Sequence, residues 1–268
     1  MNKFYLVLGF LITFNISPAY CENSNLPDWK IKARQFVEKL AGEKWAIKFF
    51  GTKEIIYELP AIPYVDENAK STDIYKNKYE EKIVLDKDQN LRLNIAFVSE
   101  LFEVIKERKG SGSEVGNWIN VMDQGGSREG VYRAMVLDGD YQGMENFDRP
   151  ITKLGAEFAH DFSKRFSGLE IKKETLGRVN FYSVKRLVTE KALEIVDAFK
   201  EQEDLHKWYA IMSIEMAKKY KYAFTNDVRK NINFEYHINW ATQVPRQHLK
   251  SEIIIKLHQV FNSLQKVE

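Results

Sequence analysis

The chain has 268 residues, 40 Lys and Arg against 38 Asp and Glu, 44% apolar residues and a single cysteine. That apolar share lies far above the disordered range and is enough to bury a core in one large or two modest domains. A formal charge of +2 gives no whole-chain attraction for nucleic acid or an anionic membrane, and only 14 Gly and 6 Pro favour long helices.

Residues 1–21 read MNKFYLVLGFLITFNISPAYC, with Lys3 their one charged side chain. An apolar run from Phe4 to Phe14, broken by Gly9 and Thr13, precedes Ser17-Pro18-Ala19. A short basic start, a hydrophobic stretch and a small-residue cleavage site make a secretory signal. The run falls short of the roughly 20 residues a spanning helix needs. The expected product is periplasmic or extracellular, cleaved after Ala19 or after Cys21, and leaves 39 basic against 38 acidic residues. Two alternatives stay open: an uncleaved anchor, and a lipid anchor on Cys21, which bulky Tyr20 disfavours. The body has no cysteine. Disulfides, thiol catalysis, zinc–thiolate sites and iron–sulfur clusters are therefore excluded from it.

From Leu26 to about Phe50, Trp29, Ala33, Phe36, Val37 and Leu40 recur at helical steps, with Asn25 and Pro27 as a start signal. Residues 52–86 are irregular. Ile55-Ile56-Tyr57 is a short apolar run, Pro60 and Pro63 break the stretch after it, and a short strand or β-hairpin is expected. Helical periodicity returns near Asp88, with Leu91, Ile95, Val98, Leu101, Phe102 and Ile105 on one face and a stop at Lys109-Gly110. Ser113 is the expected cap of a short helix carrying Trp118, Ile119 and Met122, and Gly125-Gly126 ends it. Ser127 caps a helix with Val131, Tyr132, Met135 and Val136, closed by Asp138-Gly139-Asp140.

Past Pro150 come four stripes: Ile151 to Phe166, Val184 to Phe199, Leu205 to Tyr220, and Leu249 to Leu264 after Pro245. Such stripes are the apolar faces of helices that pack on one another. The expected fold is all-α, a multi-helix bundle. Its expected divisions are a signal (1–21), an N-terminal helix with a connecting region (22–87), a small helical module (88–147) and a C-terminal bundle (148–268).

Residues 94–145 carry Phe97, Leu101, Trp118, Gly126, Ser127, Arg128, Val131 and Tyr141 in a spaced pattern. An aromatic-led helix, a polar loop, a Trp-centred helix and a Gly-Ser-Arg helix opening succeed one another. This segment resembles the helical module of unknown function of secreted bacterial proteins that is similar to phycobilisome linker domains. The resemblance implies an accessory or interaction role and carries over no catalytic residue. It departs from the family in the loop, where Gly and Ser replace the usual Pro and Asp.

Chemistry is sparse. The five histidines form no HExxH, and His248 with Glu252 is only an i,i+4 pair. No nucleophile elbow or phosphate loop occurs. Glu190 and Glu194 share a helix face with basic neighbours and read as a solvated ion-pair face. Lys218 to Tyr222 mixes basic and aromatic residues but reads as a helix end. Polar and aromatic residues gather at Asn180 to Arg186 and again at Arg229, Asn231, His237 and Trp240. If the two clusters face each other they form a polar pocket.

The candidate binding residues are therefore Trp118, Arg128, Tyr132, Tyr182, Arg186, His237 and Trp240. No cofactor, metal or nucleic acid is expected, and the expected partner is an envelope or extracellular protein. The alternative is an envelope hydrolase acting on cell-wall glycan through a buried Glu, with Glu174, Glu190 and Glu215 as its candidates.

Overall fold

The computed structural model describes residues 28–50, 57–65, 86–168, 171, 179–221, 223–224 and 233–266. The expected signal, the stretch 66–85, Glu174, Arg229 and Asn231 lie outside them. The described residues form helices and no named strand; one isolated bridge joins Pro150 to Asn180. The all-α expectation holds. Of the irregular region expected at 52–86, residues 57–65 are irregular, Asp86 caps the helix that follows, and 52–56 and 66–85 lie outside the described residues.

The chain divides into two compact units, 1–58 and 59–268. In the first, α1 (Asp28–Ala41) and α2 (Glu43–Phe50) pack on each other as a hairpin. The single helix expected here is broken by Gly42, which adopts φ +87. A left-handed residue ends a helix, and only glycine takes that conformation without strain. Val37 and Ala46 are the buried apolar side chains of this hairpin among the described residues.

The second unit begins with α3 (Lys87–Ile105), capped by Asp86 accepting from Gln89 N at 2.8 Å. Its inner face is Asn94, Phe97, Val98, Leu101, Phe102, Val104 and Ile105, whereas Leu91 and Ile95 of the expected stripe are exposed. The face is rotated because Arg128 holds polar Asn94 in the interior. α4 (Gly112–Asp123) starts at Ser111, two residues before the expected cap, because Glu114 completes a capping box with it. α5 (Arg128–Leu137) is capped by Ser127, as expected, its hydroxyl accepting from Gly130 N at 2.9 Å. Asp138 does not close the unit: it ends α5 and caps a further short helix, α6 (Gly139–Asn146), accepting from Tyr141 N at 2.9 Å.

α7 (Lys153–Phe162) runs into a π-helical turn, Ser163–Ser167. α8 (Phe181–Ala198), α9 (Gln202–Lys219), α10 (Phe234–Gln243) and α11 (Arg246–Lys266) complete the helices of the described residues. α11 is the hub and packs on α3, α5, α7 and α8. Its buried Leu249, Ile253, Ile254, Leu257, Val260, Phe261 and Leu264 wrap more than one face, as a helix with neighbours on several sides requires. Phe158 stands edge-on to Phe261 and to Tyr220, 5.1 Å from each ring centroid. Trp208 is fully buried and its indole N–H donates to the Phe166 carbonyl at 3.1 Å.

The division expected near Pro150 is not a structural one. Residues 88–147 and 148–268 share a core, because α11 inserts its apolar faces against α3 and α5 of the expected linker-like module.

Candidate functional site

Charged side chains form a continuous ladder through the second unit. Asp197 meets Lys250 at 2.6 Å, Lys250 meets Glu129 at 2.5 Å, and Glu129 meets Arg133 at 3.0 Å. Arg133 lies 3.9 Å from Glu190, Glu190 lies 3.8 Å from Arg186, and Arg186 binds Glu145 at 2.8 Å. Signs alternate at every step, so each charge is neutralised as it leaves water. The ladder stitches α5, α6, α8 and α11. Burial raises the Glu190 carboxyl, and Arg133 and Arg186 oppose the shift. Glu215 pairs with Arg165 at 3.0 Å. A glycan-cleaving acid must hold its proton near neutral pH, and a cationic neighbour works against that. Both described carboxylates named for the hydrolase face arginines in this way.

A second polar cluster centres on a fully buried lysine. Lys185 has no solvent exposure, and its amine donates to the Val104 carbonyl at 3.2 Å and to Asn262 Oδ1 at 2.9 Å. Asn262 Nδ2 donates to the same carbonyl at 3.0 Å. Burial pulls the Lys185 amine down to about 7, with Glu107 pulling the other way. His258, also fully buried, is driven well below the ordinary imidazole range, first by burial and then by the Lys185 charge. One ring nitrogen of His258 lies 3.3 Å from the Tyr132 hydroxyl. The aromatic faces of Phe181 and Tyr182 stand 4.9 and 5.1 Å from the Lys185 amine. A lysine amine lowered this far is chemically a base and a nucleophile once it gives up its proton.

Arg149 also lies against the same two rings, 5.0 Å from Phe181 and 5.2 Å from Tyr182. It hydrogen-bonds the Tyr182 hydroxyl and pairs with Glu107 at 3.1 Å. Glu107 has φ +54, a strained setting for a side-chain-bearing residue, and the Arg149 pair helps to fix it. Elsewhere Arg128 is buried. Its Nε donates to Asn94 Oδ1 at 2.9 Å and its Nη2 to Asn90 Oδ1 at 3.4 Å. Burial, with Arg128 close by, lowers His248 to about 4.

No family model, curated protein or solved structure matches this chain.

The expected binding residues separate by depth. Arg128, Tyr132, Tyr182 and His237 are buried, and the first three are tied into these polar clusters. Trp118 is half-buried on α4, Arg186 is held in the ladder, and Trp240 packs on Tyr209 with ring centroids 5.5 Å apart. The two polar-aromatic segments go to different neighbours. The start of α8 meets Arg149, Glu145 and Asn262, whereas α10 packs on α9. Among the described residues no group of three or more His, Cys, Asp or Glu is placed to hold a metal ion, and no helix is long and apolar enough to cross a membrane.

The surface that departs most from an ordinary one is the α1–α2 hairpin. Trp29, Phe36, Leu40, Trp45 and Phe49 are 51, 54, 62, 42 and 40% exposed. Trp45 and Phe49 stack at 5.8 Å, and the Lys48 amine lies 5.0 Å from the Trp45 ring. Scattered single apolar residues on a surface are normal, but a concentration within 23 residues is not. The stripe was legible as periodicity, and its exposure was not.

Proposed function

We propose that the protein is an exported accessory protein of the bacterial cell envelope that works by binding, with the α1–α2 hairpin as its docking element. The observation that carries this reading is the set of large apolar side chains on the hairpin that are each two-fifths or more exposed. Exposed patches of this kind, edged by charge, characterise interaction surfaces. Export rests on the signal-like layout of residues 1–21. The accessory role is supported by the resemblance of residues 94–145 to a module of secreted bacterial proteins. The second unit acts as the folded body, with Glu129, Arg133, Arg186, Glu190 and Lys250 committed to internal pairs.

Cell fractionation tests the reading. The native protein is expected in the exported fraction, associated with the envelope. Replacing Trp29, Phe36 and Trp45 with Ser should release it about tenfold or more into the soluble exported pool, by the loss of several buried apolar contacts. Retention in the cytosol, or unchanged envelope association of the variant, contradicts it.

A further inference from the structure

The near-balanced charge of the whole chain conceals a local excess. Residues 28–50 carry six basic residues (Lys30, Lys32, Arg34, Lys39, Lys44 and Lys48) against three acidic ones. Their order on α1 is not random. At about 100° per residue, Trp29, Ala33, Phe36 and Leu40 fall on one stripe, Lys32 and Lys39 border one edge, and Lys30 and Arg34 lie beyond Val37 on the other. Glu38 takes the opposite side. In α2 the stacked Trp45 and Phe49 are joined by Lys48 over the Trp45 ring, and Lys30 stands 5.8 Å from the Trp29 ring.

Resting on the docking role proposed for the hairpin, we infer that the occupant of this surface is an anionic phospholipid bilayer. Three features fit a bilayer surface together. Trp is the side chain that settles at the headgroup level, half apolar and half polar. Lys and Arg flanking an apolar stripe bury their stems and send their charges outward to phosphates. The two helices have 14 and 8 residues, which suits lying in the interface and not crossing it. A protein groove would instead be expected to cover the aromatic residues with few cations at their border, since charge is depleted at the centre of protein interfaces.

The test is vesicle co-sedimentation of the chain from Glu22 onward, which omits the apolar run Phe4–Phe14, with the full chain in parallel. Vesicles of phosphatidylcholine with about a third phosphatidylglycerol should bind it about tenfold or more better than phosphatidylcholine alone, and about 0.5 M NaCl should remove most of that preference. Trp29→Ser with Phe36→Ser, and separately Lys32→Glu with Lys39→Glu, should each weaken binding about tenfold. Tyr64→Ser with Phe147→Ser, exposed aromatic residues of the second unit, should leave it unchanged, and circular dichroism of every variant checks that the helices persist. Equal binding to neutral vesicles, no binding at all, or a concentration-dependent dimer that buries the hairpin instead overturns the lipid assignment. Loss of lipid binding with the hairpin still needed for envelope association would overturn this inference alone and leave the docking role standing. The lipid preference and its salt sensitivity in the unsubstituted chain decide the matter even if a variant fails to fold.

Discussion

Lys185 shows how a single side chain couples this fold to pH. In the folded chain its amine releases its proton at about 7; unfolded, it holds the proton to about 10.4. Between those values the unfolded state binds more protons, so stability rises with pH across the window and the full cost of burial is felt below it. Lys185→Met removes the titration. Urea unfolding of both proteins from about pH 7 to 10 should show the native chain gaining on the variant by up to about 4 kcal/mol. Parallel curves would mean that Lys185 keeps its charge inside the protein, held by Val104, Asn262 and the two rings. His248 and His258 act at the acid end. Both are depressed by burial, so both withhold stability as pH falls below about 6.5, where the unfolded chain takes up protons that the folded one does not. Lys185 could have been noticed in the sequence. It stands four residues from Phe181 and three from Val188, a cation in the middle of an apolar stripe. What the spacing could not convey was its partners, because Val104 and Asn262 are 81 and 77 residues away.

Between elements the ladder is the main polar joint. Glu129 is its most enclosed carboxylate, with side-chain exposure of 6%, and it serves both Lys250 and Arg133. Glu129→Gln leaves buried Lys250 and half-buried Arg133 facing a neutral amide and should destabilise the chain by about 3 kcal/mol in urea unfolding. Glu203→Gln, on the solvent-facing pair with Lys207, should change it by less than about 0.5 kcal/mol. Equal effects would show that the ladder is no more than surface charge. Helical stripes were legible wherever the neighbours were apolar: Leu205 to Tyr220 and Leu249 to Leu264 are buried at the positions their periodicity gives. The misreadings lie at caps, at breaks and on α3, where Leu91 and Ile95 of the expected face are exposed. Gly42 splits a periodic run, and Asp138 serves two helices at once. A stripe describes which way a helix faces and says little about where it starts or stops. The candidate site was legible only in part for the same reason. Arg128 and Tyr132 read as binding residues because they lie in the segment that resembles a module of secreted proteins, yet Asn94 and His258, distant in sequence, draw them inward.

For the molecule as a whole, the contrast lies between a body with a large buried apolar core and a hairpin whose large apolar side chains stay exposed. The second unit buries Trp208, Phe158, Phe261 and the charged ladder. The hairpin buries little beyond Val37 and Ala46 among its described residues. Its contact chemistry was present in the sequence as six cations set among aromatic residues, and it was masked there by acidic residues elsewhere in the chain. The most direct test places a photo-crosslinking amino acid at Phe36 or Trp45 and, for comparison, at Trp118 or Trp240, in the protein expressed in its own cells. Crosslinks to envelope components concentrated at the two hairpin positions are the expected result. Crosslinks arising from Trp118 or Trp240 while Phe36 and Trp45 stay silent would contradict the account.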